Sequence, residues 1–239
     1  MSTATKPLLT VEHLEISCRD SEKTNPIVQD VSFQLYKGEM AALTGPSGCG
    51  KSVTAHAVVG MLEKEWIVTK GHICYKNQNI TTYSEKEWQR LRREEIALLI
   101  QHSLNGLNPI RTVKKQMMET LNQRRKLPRK EAVSYLHSLL HQVGFADPAF
   151  ILSSYPFELS GGMCQRILLA MMLSAKPKIL IADEPTTALD VINKEKVMAL
   201  LKKLQADFDL AVLLISHDQE SVNRFADRVI FMEQGGVTG

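Results

Sequence analysis

A chain of 239 residues has room for one large α/β domain with a helical insertion and can bury a substantial core. At 44% hydrophobic and 23% charged it reads as a soluble protein: its longest apolar run, Ile167 to Leu173, is far shorter than the ~20 residues a membrane-spanning helix needs, and Met1 to Pro7 holds no apolar signal core. With neither a spanning run nor a signal core, a cytoplasmic chain that meets a membrane only through a partner is expected, and the net charge of +3, from 29 basic and 26 acidic residues, is too mild to argue for nucleic-acid binding.

In chain order, Leu8 to Ile16 alternates weakly and predicts a first strand, Cys18 to Pro26 is polar and turn-rich like a hairpin tip, and Ile27 to Leu35 predicts a second strand. Lys37-Gly38-Glu39 turns into a short buried strand, Met40 to Thr44, which feeds a glycine loop and then a helical pattern from Ser52 to Leu62. Gly71 to Tyr75 predicts a further strand of an antiparallel region. From about Ser84 the character changes: a strand at Ile96 to Ile100 precedes helices at Thr112 to Arg125 and at Arg129 to Val143, the latter ended by Gly144. Another apolar helix follows Gly161-Gly162 and runs to about Ala175, where Lys176-Pro177-Lys178 stops it. Ile179 to Ala182 and Ala211 to Ser216 are near-continuous apolar runs, as expected of central parallel strands covered on both faces. A helix from Asn193 to Gln205 between them completes a βαβ unit, and Val229 to Met232 is read as the last strand.

Basic residues gather at Arg90-Leu91-Arg92-Arg93 and at Arg124-Arg125-Lys126 with Arg129-Lys130, which read as solvated helical faces. The four cysteines are widely spaced with no Cys-x-x-Cys pair, and no histidine sits at metal-finger spacing, which argues against structural zinc and disulfides.

Chemistry concentrates in a few segments. Gly45-Pro46-Ser47-Gly48-Cys49-Gly50-Lys51-Ser52 fits the pattern G-x-x-x-x-G-K-[ST], in which backbone N–H groups surround phosphates at a helix N-terminus. Lys51 then reaches the β- and γ-phosphates and Ser52 ligates Mg²⁺. Asp183-Glu184 closes an apolar strand: Asp183 is suited to hold Mg²⁺ through water, and Glu184 to polarise a water attacking the γ-phosphate. Leu159-Ser160-Gly161-Gly162-Met163 is a second glycine pair running into a helix, and one chain has little use for two phosphate-contacting surfaces on one nucleotide. Each nucleotide is therefore expected to be clamped between two protomers. Cys49, beside Lys51 and a helix N-terminus, reads as a small spacer in a setting that favours thiolate.

These motifs, in this order, resemble the ATP-binding cassette family over about Leu8 to Gly236. The resemblance implies a P-loop NTPase fold of class α/β: an antiparallel β subdomain with a RecA-like parallel-sheet core (about 8–100 and 176–239), and an inserted helical subdomain (about 101–175). It implies a Q-loop role for Gln101, sensing γ-phosphate and Mg²⁺. It implies a switch role for His217 at the γ-phosphate, and a D-loop at Ala188-Leu189-Asp190 crossing a dimer interface. Ser160, Gly161 and Gly162 are then expected to touch the nucleotide held by the opposite P-loop. Met163 stands where the family most often has glutamine, as in its peptide and nickel importer branch, which Tyr155-Pro156-Phe157-Glu158, Ala182 to Asp190 and Leu107-Asn108-Pro109 also resemble.

The family's adenine-stacking aromatic is missing: no Phe, Tyr or Trp lies between Ile16 and Val31, and Ile27 is the candidate for that position. The resemblance further implies an ATP-hydrolysing subunit on the cytoplasmic face of the inner membrane. Its partners would be two transmembrane permease subunits, a second ATPase subunit or itself, and, indirectly, an extracytoplasmic binding protein. The helical subdomain would offer a groove to a permease coupling helix. The cargo expectation divides among nickel, a metallophore complex and di- or oligopeptides; the lack of a C-terminal extension leans towards the first two. A non-transport cassette ATPase of translation or DNA maintenance is the alternative, weakened by the lack of a tandem cassette or coiled-coil insertion. A P-loop kinase or GTPase has no reason to carry residues 159–163.

Overall fold

The computed structural model describes residues 6–19, 26–100, 106–187 and 190–238. Gln101, Ala188 and Leu189, and most of the stretch expected to form the first hairpin tip, lie outside the described residues.

Near its start the chain builds an antiparallel sheet. Strands β1 (Leu9–Cys18), β2 (Val28–Leu35), β4 (Trp66–Tyr75) and β5 (Gln78–Asn79) pair in the order β2-β1-β4-β5. The second sheet is mostly parallel, in the order β10-β9-β3-β8-β7-β6, from β3 (Met40–Thr44), β6 (Ile96–Leu99), β7 (Ile179–Asp183), β8 (Ala211–Ile215), β9 (Arg228–Glu233) and β10 (Gly236–Thr238). Only the β10–β9 pairing is antiparallel.

The side-chain period of two along the central strands divides the interior into two cores. Ala41, Leu43, Ile179, Ile181, Leu213 and Ile215 face a core shared with the antiparallel sheet, α1 (Lys51–Val58) and α2 (Glu85–Glu94). Met40, Ala42, Leu180, Ala182, Val212 and Leu214 face the other core. There they meet α3 (Val113–Arg124), α4 (Arg129–Gln142), α5 (Pro148–Ser153), α6 (Gly161–Leu173), α7 (Val191–Phe208) and α8 (Gln219–Phe225). Strands β3, β7 and β8 are buried along their whole length, which is why they carry apolar runs rather than alternation.

Several boundaries differ from the sequence expectation. Helix α1 ends at Val58, not Leu62, because Gly60 takes φ +63 against the Trp88 ring, where an added Cβ would lie 2.2 Å from a ring atom. Strand β4 begins at Trp66 rather than Gly71, since β1 is long enough to pair with it as far as Cys18↔Trp66. Helix α2 carries the basic helical face read at Arg90 to Arg93 but starts earlier: its polar sequence buries only Trp88 and Leu91, one turn apart, and a capping box between Ser84 and Glu87 starts it. Arg90 and Arg93 stand exposed on it, paired with Glu94 at 3.4 and 3.0 Å. Helices α5 and α8 were missed, each shorter than a periodicity window can detect. Strand β9 is not the last: Gln234 and Gly235, with φ 49 and 86, form a two-residue turn whose hand suits a hairpin and returns the chain as β10.

Candidate nucleotide site

Strand β3 delivers the chain to the glycine loop and α1 carries it away, so the loop 45–50 sits at the positive end of a helix, at the carboxyl edge of the parallel sheet. Gly45 has φ +145, and a Cβ there would lie 2.0 Å from the Met232 carbonyl oxygen of β9; only glycine lets the loop leave the sheet this way. The Lys51 side chain, 7% exposed, folds back over the loop and donates to the carbonyl oxygens of Gly45 (2.9 Å) and Pro46 (2.8 Å). Its Nζ is also 3.8 Å from Cys49 Sγ. The ammonium is thus held at the loop's centre by weak acceptors that a phosphate oxygen can replace.

Ser52, in the first turn of α1, donates its hydroxyl to Asp183 Oδ1 at 3.1 Å. Asp183 ends β7 and is only 4% exposed. Burial pushes its carboxyl above the ordinary range; the Ser52 hydrogen bond and the His56 imidazole, 3.9 Å from Oδ2, partly offset that, while Glu184 adds to it. A buried carboxylate beside a serine hydroxyl is an oxygen-only donor pair, which fits Mg²⁺ rather than a softer metal.

The next residue turns sharply. Glu184 has φ 50 and its N–H donates to the Ile215 carbonyl at 3.0 Å, which pins the backbone to the end of β8. Its carboxylate accepts from the Thr187 hydroxyl at 2.7 Å and lies 2.8 Å from His217 Nδ1. His217 follows β8, and its side chain is 59% exposed.

A cavity of about 310 Å³ joins these parts, lined by Ile27, Ser47, Gly48, Gly50, Lys51, Ser52, Val53, Glu184, Thr187 and His217. Glu184 and His217 belong to the sheet end of the site, whereas Ile27 comes from the segment leading into the antiparallel sheet.

Ser160, Gly161 and Gly162 are elsewhere. Ser160 caps α6, its Oγ accepting from the Met163 N–H at 3.3 Å, so the two glycines present the unpaired amides of a helix N-terminus. Ser160 and Gly162 line a separate cavity with Arg166, Asn193 and Lys196, and a Cβ added at Gly162 would meet nothing within 4 Å. Asp190 caps α7, its Oδ1 accepting from the Asn193 N–H at 3.1 Å.

The sequence reading therefore names residues that the fold divides into two groups: 45–52 with Asp183, Glu184 and His217, and 160–162 on another surface. It overlooked His56, whose contact with Asp183 crosses from one element to another, Thr187, whose hydroxyl meets Glu184 within a single turn, and Gln165, whose amide meets the Pro185 carbonyl at 2.6 Å. A polar residue on the buried stripe of an apolar helix is the signal that marks Gln165.

Residues 28–187 match the family model described as ABC transporter. The dipeptide transport ATP-binding protein DppD of Bacillus subtilis (strain 168) is 43% identical over 229 residues, 95% of this chain and 68% of that protein. The metal-staphylopine import system ATP-binding protein CntD of Staphylococcus aureus (strain NCTC 8325 / PS 47) is 40% identical over 228 residues, 95% of this chain and 83% of its own length. Among solved structures, the dimeric post-hydrolysis state of the cassette MJ0796 bound to ADP and Pi superposes with TM-score 0.81 at 26% identity, covering 97% of each chain. CbiO1 from Clostridium perfringens, part of the ABC transporter complex cbiONQ, does so with TM-score 0.84 at 27% identity over 98% of this chain and 87% of that one.

Proposed function

The chain belongs to the ABC transporter family, and we propose that it is the ATP-hydrolysing subunit of an importer for peptides, nickel or metal–metallophore complexes. The observation that carries the mechanism is the separation of Ser160-Gly161-Gly162 from the cavity around Lys51. A helix N-terminus that faces open space in one chain is available to a nucleotide held by a second chain, and MJ0796 was captured as a dimer with ADP and Pi.

In this reading the loop amides and Lys51 bind the triphosphate of ATP. Lys51 gives up its contacts to Gly45 and Pro46 for phosphate oxygens. Ser52 and Asp183 would hold Mg²⁺, which would supply positive charge against that of the phosphates. Glu184 orients the attacking water, and His217, at 2.8 Å from its carboxylate, fixes the direction of that carboxylate and reaches the γ-phosphate. Gln101 and Asp190 complete the site, as sensor of the γ-phosphate and as part of the dimer contact. Because ATP favours the closed pair and its products do not, hydrolysis opens the pair and drives the permease.

Permease subunits in the inner membrane are the proposed partners on the other side. Ile110 (80% exposed), Phe150 (56%) and Phe157 (70%) stand out of the helical segment between β6 and β7, with Tyr155 stacked on Phe157, which supports a docked apolar helix there. None of the helices among the described residues is long and apolar enough to cross a membrane, so attachment through such partners is the route proposed.

The test is a trap. Glu184→Gln keeps ATP binding and slows hydrolysis by about 10²–10⁴-fold. Size-exclusion chromatography with ATP, alone and with a co-expressed second ATPase, should show a dimer that the added change Ser160→Arg abolishes. A monomer under every condition refutes the two-chain site.

A further inference from the structure

Helix α6 is apolar on its inner side, where Cys164, Ile167, Leu168, Leu169, Ala170 and Leu173 are buried. Gln165 is buried among them at 5% exposure, a costly position for an amide unless its hydrogen bonds are made. Its Nε2 donates to the carbonyl oxygen of Pro185 at 2.6 Å, and Pro185 is itself buried. That carbonyl belongs to the tight turn that begins at Glu184, closes with the Thr187 N–H donating to the Glu184 carbonyl at 3.2 Å, and carries the Thr187 hydroxyl against the Glu184 carboxylate.

We infer that Gln165 is a positioning residue that couples the two nucleotide sites of the dimer. This rests on the two-chain reading above, in which Ser160-Gly161-Gly162 meets the nucleotide of the other subunit. Gln165 lies five residues beyond Ser160 on the same helix, about 7.5 Å along a rigid rod. Arg166, the next residue, fixes the same turn to the carbonyl oxygen of Gly144 at 3.1 Å and lies over the Phe145 ring, so the helix start moves as one body with the end of α4. When a nucleotide on the partner draws the N-terminus of α6 towards it, the amide of Gln165 carries that shift to Pro185, one residue from Glu184. One subunit's catalytic carboxylate thereby reports the occupancy of the other subunit's loop. A residue placed for packing alone would have been served by leucine or methionine.

The experiment uses the full-length chain in the dimer that the Glu184→Gln trap identifies. Two substitutions remove the donor: Gln165→Met, which keeps the length, and Gln165→Leu, which keeps an apolar side chain on the buried face of α6 and likewise cannot donate. Should one fail to fold, the other carries the test. Binding of a fluorescent ATP analogue should stay within about twofold of wild type, because each loop is intact. The steepness of ATPase rate against ATP should fall from a Hill coefficient of about two towards one, with kcat down roughly tenfold. Wild-type steepness in a folded variant overturns the inference, whether or not kcat falls, since an effect confined to its own Glu184 leaves cooperativity intact. Ser160→Arg separates the premise from the inference: if that change leaves wild-type steepness untouched, it is the two-chain site that is wrong.

Discussion

Replacing Asp183 by asparagine should make the nucleotide-free protein more stable while destroying its response to Mg²⁺ and ATP. The carboxyl is 4% exposed, and burial raises its pKa above the ordinary value in spite of the Ser52 hydrogen bond and the nearby His56. The sign follows from linkage. With the folded-state pKa raised, the contribution of protonated Asp183 is fully present below the ordinary carboxylate pKa and is lost as pH rises through the raised one. At neutral pH the fold therefore bears the cost of a buried charge. Asparagine keeps an oxygen to accept from Ser52 Oγ, as Oδ1 does at 3.1 Å, and carries no charge. Removing such a functional strain typically stabilises by about 1 kcal/mol. For a domain of this size that corresponds to roughly 2–4 °C in Tm. Thermal unfolding in chelator-containing buffer should show Asp183→Asn melting higher than wild type at pH 7–8, with the gap closing as pH falls towards about 4, where the wild-type carboxyl is protonated too. With Mg²⁺ and ATP the order should reverse, because only wild type gains from the ligand. A variant that melts lower than wild type at pH 8 without ligand, or a gap that does not narrow in acid, would refute the reasoning.

Ile27, the sequence candidate for the adenine contact, lines the cavity, so Ile27→Tyr should lower KM for ATP by about 2- to 10-fold through ring stacking and leave kcat unchanged; an unaltered KM removes the base from that position. Cys49 is 7% exposed inside the loop, and a thiol reagent should inactivate the ATPase slowly, with ATP giving protection; equal rates with and without ATP count against nucleotide covering this loop. Gly60→Ala forces a Cβ to 2.2 Å from the Trp88 ring at φ +63 and should cost about 1–3 kcal/mol, read as a fall in the urea midpoint, whereas an unchanged midpoint would show that the ring gives way freely.

What the sequence determined by itself is what short range decides. The glycine spacing of 45–52, the apolar runs of β3, β7 and β8, and the acidic pair at the end of β7 follow from backbone conformation and burial, which local residues signal directly. The glycine pair at 161–162 likewise announced the start of a helix. The start of helix α2 and the whole of strand β10 were hidden because capping and turn geometry, rather than periodicity, create them. Tertiary structure alone decided that Ser52 meets Asp183 across 131 positions, and that His217 meets Glu184 across 33. It also decided that Gln165 fastens a distant helix to the turn at Pro185. Such contacts depend on how strands far apart in the chain stack side by side. Only the packed sheet and its two cores determine which side chain finds which partner.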